Sequence, residues 1–124
     1  MTARIALTVL YGVVTMYAHA DHAGQPLRCG GTYTVTEQWV AADVDNGPFR
    51  CGELLAICAG GECRVLPVRD SGPLSQFCVM DGGECRDILV DVPQHVATGW
   101  WNGLSARATV TSATAARERM ERER

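Results

Sequence analysis

The chain has 124 residues, of which 47% are hydrophobic and 20% are charged. This length allows one hydrophobic core but not two, and the composition excludes a disordered chain. The net charge of −3 gives no basic face of the kind that binds nucleic acid.

The N-terminal stretch supports two interpretations. Arg4 precedes a mostly apolar run over Ile5–Tyr17, and Ala18-His19-Ala20 resembles a small-x-small cleavage site, so together they imitate a secretory signal. The apolar run is too short to span a bilayer. However, Val9–Met16 is also a good β-strand sequence, and cleavage after Ala20 would discard that strand.

The middle of the chain predicts strands separated by turns. Residues 18–31 are predicted to be a loop, and the alternation over Tyr33–Val40 predicts a strand. The turn-forming residues of 43–48 end that segment. A hairpin is predicted from Glu53–Cys58 and Cys63–Arg69, joined by a glycine turn.

The remaining elements are shorter. We expect a long loop over Ser71–Arg86, then a buried strand over Asp87–Asp91. A brief helix follows with Pro93 in its first turn, and Asp91 is expected to cap it. The last strand is predicted over Ser105–Thr111.

The C-terminal tail, Ala113–Arg124, has helical composition and a favourable Glu118–Arg122 pair. A helix of this length is marginal alone in water. The tail is therefore either frayed or docked on a partner, through homo-oligomer formation or assembly into a virion.

Six cysteines in a short chain predict disulfides and an oxidising compartment, whether extracellular, periplasmic or on a virion surface. Two local pairs would each bracket a glycine turn, and the remaining two cysteines would pair by elimination. A four-cysteine zinc site fits poorly, because structural zinc sites use tighter spacing. The predicted pairs are Cys58–Cys63, Cys78–Cys85 and Cys29–Cys51.

The most informative stretch is Arg64–Leu74, where apolar residues run up to Asp70 and a Ser-Gly-Pro turn follows at once. This pattern puts one carboxylate at the open end of a strand, a common place for a functional acid. The alternative is that Asp70 caps its own turn by accepting backbone N–H bonds.

With its elements in this order, the chain resembles the double-psi β-barrel family of rare lipoprotein A, expansins, barwin and family 45 endoglucanases. The resemblance covers roughly residues 12–112, and its most specific part is an Asp-x-Gly-Pro stretch. It implies a mainly β, six-stranded barrel with one short helix, preceded by an extension over 1–11 and followed by a tail over 113–124. It also makes Gly12–Tyr17 the first barrel strand and so favours retention of the N-terminus. The matching segments are Gly12–Tyr17, Val40–Ala42, Cys51–Ile57, Val68–Leu74, Ile88–Pro93 and Gly103–Val110.

The resemblance also implies a site. Asp70 falls at the family's acid position, as a general acid or a ligand-binding carboxylate. Glycan cleavage generally needs a second carboxylate, but this chain departs from the lytic members, with Gly30-Gly31-Thr32 where they have a glutamate and Asp43 where they have a histidine. Asp43 is one candidate substitute, and Asp21 or His19, which follow the first strand, is the other.

Aromatic side chains would line such a groove by stacking on sugar rings. Trp101 is expected to be exposed, whereas Trp39 is either a platform or part of the core. His22 and Tyr17 are further glycan-binding candidates. No cofactor and no metal site are expected.

Two functions follow from the sequence. The first is an extracytoplasmic protein that interacts with the glycan of the cell wall, in the manner of rare lipoprotein A, and binds peptidoglycan rather than cleaving it. If it were an enzyme, it would be a lytic transglycosylase or a glycoside hydrolase that uses Asp70. The second is a non-catalytic virion module, in a capsid decoration or a tail, whose partner is a protein.

Overall fold

A computed structural model describes residues 8–17 and 23–123 of the protein. Seven strands, two α-helices and one 3-10 turn make up the described part of the chain. The elements are β1 (Val9–Tyr17), β2 (Val40–Ala42), β3 (Leu54–Ala59), β4 (Glu62–Ser71), the 3-10 turn (Leu74–Gln76), β5 (Cys78–Asp81), β6 (Glu84–Pro93), α1 (Gln94–Ala97), β7 (Ser105–Ser112) and α2 (Ala113–Arg122).

The strands close into the predicted barrel. The sheet runs in the order β1-β7-β3-β4-β2-β6-β5, and β6 also pairs with β1. Six strands therefore form a ring, and β5 lies outside it as the partner of β6 in a hairpin. Two of the pairings, β1 with β6 and β2 with β4, are parallel, while the others are antiparallel. Closure removes the exposed edges that a short sheet would otherwise present.

The core fills the barrel with aliphatic side chains. Alternate residues of each strand point inward, because successive side chains of a strand point to opposite faces. α1 and the residues after it cover the barrel, with Val96 and Trp100 buried. The aliphatic residues at zero exposure are Val14, Val40, Leu55, Ile57, Val68, Val90, Val92 and Val110.

Three disulfides join the predicted pairs of cysteines. Cys58–Cys63 and Cys78–Cys85 each cross a hairpin that turns through two glycines. Cys29–Cys51 ties the loop before β2 to the segment before β3, across 22 residues. Because every cysteine sulfur is in a disulfide, the cysteines cannot form the zinc site considered above. Three disulfides in a chain of this size fit an oxidising environment.

Two of the predicted elements are wrong. The strand expected over Tyr33–Val40 is reduced to Val40–Ala42, and Tyr33 and Trp39 are instead buried anchors of an irregular loop. Their alternation therefore reflects burial of two aromatic side chains rather than pairing in a sheet. The loop expected over Ser71–Arg86 contains the 3-10 turn, β5 and the start of β6.

The last strand and the helical tail are confirmed as β7 and α2. The Ser112 hydroxyl caps α2 by accepting a hydrogen bond from the Ala115 N–H. In the described part of the chain, no helix combines the length and the apolar character needed to cross a membrane.

Candidate functional site

Four residues lie side by side across four neighbouring strands. Thr15 of β1 is opposite Asp91 of β6, Asp91 is opposite Ala41 of β2, and Ala41 is opposite Asp70 of β4. We call these four residues the acid row. Since neighbouring strands lie about 4.8 Å apart, the Cα atoms of Asp91 and Asp70 are separated by about 10 Å. Between them lies Ala41, whose small side chain is itself buried.

An irregularity in the strand pairing places Asp70 in this row. Strict alternation would put Asp70 on the same side of β4 as the fully buried Val68. The register between β2 and β4 shifts, however, so that Val40 is opposite Val68 but Ala41 is opposite Asp70. An extra residue in one strand redirects the side chains that follow it, and such bulges often lie beside functional sites. The shift therefore aligns Asp70 with Asp91.

Asp91 is a partly buried acid with one hydroxyl donor. It stands between Val90 and Val92, which are fully buried, and its Oδ1 accepts a hydrogen bond of 2.8 Å from the Thr15 hydroxyl. Burial raises the pKa of Asp91 to about 6, although the bonds from Thr15 and from the Val92 N–H act in the opposite direction. Asp91 can therefore donate a proton under mildly acidic conditions and accept one at higher pH.

Asp91 does not cap α1, so that prediction is wrong. The capping residue is Pro93, and no side chain makes a capping bond there. Strand β6 extends to Pro93, and its parallel pairing with β1 brings Asp91 to Thr15. Sequence reasoning thus missed Asp91 and Thr15 as site residues. The available signal was an acid flanked by apolar residues that are buried in the barrel.

The Tyr17 hydroxyl lies close to both acids. Burial raises the pKa of Tyr17, and the negative charges of Asp70 and Asp91 raise it further. The hydroxyl consequently stays protonated and serves as a hydrogen-bond donor at any physiological pH. Tyr17 was predicted from sequence as a glycan-binding residue, and the structure brings it to the acid row.

An aromatic cluster holds Tyr17 in place. Its ring centroid lies 6.1 Å from that of the fully buried Trp39, which in turn meets the ring of Tyr33 edge-on at 5.0 Å. The His95 ring lies 5.8 Å from Tyr33, and its Nε2 is 2.6 Å from the Glu37 carbonyl oxygen. Edge-on aromatic pairs add stability beyond the area they bury, so the cluster is a rigid support.

Asp70 is anchored by a distant segment rather than by its own turn. Its Oδ1 accepts a hydrogen bond of 2.9 Å from the Arg28 N–H, while Gly72 N–H of the local turn bonds to the Ala42 carbonyl. The neighbouring Cys29 N–H bonds to the Arg69 carbonyl. The loop that carries Cys29 is thereby fixed against the end of β4, and one Asp70 oxygen is engaged.

Two arginines lie beside the row and form exposed ion pairs. Arg28 contacts Asp45 at 2.8 Å, and Arg69 contacts Glu37 at 2.8 Å. Exposed pairs of this kind contribute little to stability, because water screens them. Both guanidinium groups can therefore exchange their partners for an acidic ligand at small cost.

A cavity of about 420 Å³ opens near the acid row. One of its walls is Leu89, which precedes Asp91 by two residues on β6 and so lies about 7 Å from it along the strand. Phe77 and Tyr11 line the cavity, and both are largely exposed. Exposed aromatic rings beside polar groups are suited to stacking on a sugar ring.

Asp43 lies against this cavity but has structural partners. Its Oδ2 accepts bonds from both the Ser75 N–H and the Ser75 hydroxyl, and its Oδ1 accepts one from the Asn46 N–H. The bonds from Ser75 lower the pKa of Asp43. The carboxylate therefore fixes the 3-10 turn to the loop after β2, and it does not extend the acid row.

The predicted tryptophans do not present their faces at the row. Trp39 has no exposed surface, so its assignment as a sugar platform is corrected to a core residue. Trp101 is half-buried against Gly60 in the β3–β4 hairpin, at the opposite end of β4 from Asp70. His19, Asp21 and His22 lie outside the described residues. Within residues 8–17 and 23–123, no three His, Cys, Asp or Glu side chains are placed to hold a metal ion.

Comparison with known proteins identifies the fold. No protein-family model matches the sequence, and no curated protein matches it significantly. Among solved structures, a mutant of Clavibacter michiganensis expansin in complex with cellohexaose matches with a TM-score of 0.60 at 12% identity. The apo form of Clavibacter michiganensis expansin matches with a TM-score of 0.57 at 15% identity.

Each match covers 86% of this chain and 50% of the expansin chain, so this chain spans about half the length of those proteins. The closed barrel with its two parallel pairings is thus a double-psi β-barrel, as the sequence resemblance implied. At this level of identity the likeness concerns the fold alone. One fold can serve many functions, so the function of this chain depends on its own side chains at the acid row.

Proposed function

We propose that the protein binds the glycan strands of the cell wall, and peptidoglycan in particular, in the groove formed by the acid row and Tyr17. The observation that carries this proposal is the alignment of Asp70 and Asp91 on either side of Ala41, with the Tyr17 hydroxyl close to both acids. Sugar hydroxyls both donate and accept hydrogen bonds, and this groove offers both kinds of partner.

The polar groups of the groove have different hydrogen-bonding roles. The second oxygen of Asp70 accepts from a sugar hydroxyl, whereas the buried Tyr17 hydroxyl keeps its place beside the two acids and does not reach the sugar. Asp91, with a pKa of about 6, donates to a sugar hydroxyl when it is protonated and accepts from one when it is ionised. Phe77 and Tyr11, at the nearby cavity, provide aromatic surface for a further sugar ring. That the expansin of similar fold was solved with cellohexaose is consistent with a glycan ligand.

The two arginines favour an acidic glycan over a neutral one. Peptidoglycan carries free carboxylates on its peptide stems, and cellulose carries none. Arg28 and Arg69 stand beside Asp70 in exposed ion pairs that an incoming carboxylate can replace. Planar guanidinium groups bind carboxylates through two parallel hydrogen bonds, which adds both energy and orientation.

Binding without cleavage fits the state of Asp70. Hydrolysis of a glycosidic bond requires two carboxyl groups facing each other across it, at roughly 5 to 9.5 Å. Here one oxygen of Asp70 is already held by the Arg28 N–H. We therefore assign Asp70 to ligand binding. A lytic activity would instead use Asp91 as the acid, and the experiment below separates the two.

The test is co-sedimentation of the full chain with purified peptidoglycan sacculi and, separately, with microcrystalline cellulose. Asp70→Asn should weaken binding to sacculi by about tenfold, because it replaces the oxygen that accepts from the ligand by an NH2 group that cannot accept. Glu84→Gln is the control, since Glu84 also lies on β6 but is exposed, outside the row and not among the residues that line the cavity. Equal binding of all variants would refute the site.

The same incubations report on cleavage. Soluble muropeptides in the supernatant, measured by chromatography, should be absent for the wild-type protein. Release that Asp91→Asn abolishes would instead establish a lytic enzyme. Stronger binding to cellulose than to sacculi would contradict the proposed role of Arg28 and Arg69.

A further inference from the structure

A second surface of the molecule is apolar and lies on the outside of four strands. Val9 of β1, Thr111 of β7, Ala56 of β3 and Val65 of β4 are successive partners in the sheet, so their side chains form one continuous row. Val9 is 44% exposed and Val65 is 57% exposed. This row contains no charged residue, which is uncommon on the outside of a small barrel.

The C-terminal helix stands beside this row. The Thr114 hydroxyl accepts a hydrogen bond of 2.9 Å from the Leu54 N–H, which fixes the start of α2 to the start of β3. Between α2 and the sheet lies an apolar groove of about 540 Å³. Ala56 and Thr111 form its floor, while Ala116 and Met120 form its wall. Met120 is 66% exposed, so this part of the wall is open to solvent.

The charges of α2 are inverted about Met120. Going outward from Met120, each arginine on one side corresponds to a glutamate at the same distance on the other side. Because successive residues of a helix are about 100° apart, Arg117 and Glu121 flank Met120 on one side, Arg119 and Glu123 flank it on the other, and Glu118 and Arg122 lie on the far face. An antiparallel copy related by a two-fold axis at Met120 would place Arg117 opposite Glu121 and Arg119 opposite Glu123, so opposite charges would meet on both flanks of the contact.

We propose that the groove binds a second copy of this chain, in a two-fold symmetric dimer in which the α2 helices pack antiparallel with Met120 at the axis. A two-fold interface must be self-complementary, and the charge inversion gives α2 this property. Each Met120 fills the apolar groove of the other protomer, above Ala56 and Thr111. Burial of apolar surface supplies the affinity, and the charges fix the orientation.

The charged residues are available for this exchange. Within one helix, Arg117 contacts Glu121 at 3.4 Å and Arg119 contacts Glu123 at 3.2 Å. Both pairs are exposed to solvent, and exposed pairs at this spacing contribute only about 0.3–0.5 kcal/mol. Intermolecular pairs can therefore replace or share them without a large loss.

The test is sedimentation velocity of the full chain over a concentration series up to about 1 mM, a range in which a weak dimer is populated. The wild type should change from monomer to dimer. Two triple variants are compared with it. The acidic variant carries Arg117→Glu, Arg119→Glu and Arg122→Glu, and the basic variant carries Glu118→Arg, Glu121→Arg and Glu123→Arg.

Each triple variant alone should dimerise about 100-fold more weakly, because like charges then meet across the axis. An equimolar mixture of the two should form a 1:1 heterodimer, which also shows that the altered helices still fold. A variant with all six exchanges keeps the inversion about Met120 and should dimerise like the wild type. Circular dichroism of the tail in each protein provides the folding control.

Three results would overturn the proposal. They are a wild-type protein that stays monomeric over the whole range, an acidic variant that dimerises as well as the wild type, and a mixture of the two triple variants that stays monomeric. A binding partner other than a second copy would give the first of these results. Because the acid row takes no part in this contact, failure here would leave the proposed glycan binding untouched.

Discussion

Replacing Asp91 by asparagine should make the protein more stable at neutral pH. Burial raises the pKa of Asp91 from its ordinary 3.8 to about 6, so the folded state holds the neutral form more tightly than the unfolded state does. Stability is therefore lost as pH rises between these two values, by about 3 kcal/mol in total. Asparagine is never charged, and its Oδ1 can still accept the bond from Thr15.

The magnitude is measured by urea denaturation of the wild type and Asp91→Asn between about pH 4 and pH 8. Near pH 4 the two proteins should have similar free energies of unfolding. Toward pH 8 the variant should become the more stable by about 3 kcal/mol, because only the wild type must ionise a buried carboxyl group. The difference between the two free energies of unfolding removes the contribution of the other titrating groups. These include Asp43 and Asp81, whose lowered pKa values affect both proteins equally.

Asp87→Asn is the control for this measurement, since it makes the same substitution at an exposed position of β6. Its free energy of unfolding should follow that of the wild type at every pH. A constant difference between Asp91→Asn and the wild type across the whole range would refute the reasoning, because it would mean that Asp91 titrates as it does in the unfolded chain. A gain in stability coupled to loss of glycan binding would be the trade-off expected of a functional acid.

Three further predictions follow from the geometry. Thr15→Val should raise the pKa of Asp91 above its present value of about 6, because it removes the hydrogen bond from the hydroxyl that stabilises the charged form. NMR titration of the Asp91 carboxyl carbon measures this pKa. An unchanged value would exclude the hydrogen bond. Replacing Cys29 and Cys51 by alanine should lower the free energy of unfolding by about 3 kcal/mol, whereas replacing Cys58 and Cys63 should lower it by about 2 kcal/mol. The reason is that the Cys29–Cys51 bridge closes the longer loop. The opposite order of stabilities in denaturant unfolding would contradict this argument. Gly60→Ala should be more destabilising than Gly61→Ala by about 1–2 kcal/mol. Both glycines have positive φ, but only at Gly60 would an added Cβ lie 2.8 Å from the Trp100 carbonyl oxygen. Equal melting temperatures of the two variants would show that this contact relaxes.

Local sequence signals were sufficient where an element is defined by neighbours in the chain. The β3–β4 hairpin follows from two apolar runs around a glycine turn, and its disulfide follows from the two cysteines that bracket the turn. The tail is helical because its residues favour helix and Ser112 caps it. Asp70 was also found this way, since a lone acid at the end of an apolar strand stands out without any knowledge of the fold.

Local signals failed where burial and pairing come from distant residues. The alternation of Tyr33–Val40 is equally compatible with a strand and with a loop anchored by buried rings, and only the packing of Tyr33 on Trp39 selects the second. Asp91 was taken for a helix cap because Pro93 follows it closely. Its actual partner, Thr15, is 76 residues away in the chain.

The sequence by itself determined the fold class, the three disulfides and one acid of the site, because each depends on short-range patterns or on residue type. The tertiary structure alone decided which residues form the site. Parallel pairing of β1 with β6 brings Thr15 to Asp91, and the register shift between β2 and β4 aligns Asp70 with them. Register is a property of two strands at once, so the sequence of either strand alone does not contain it.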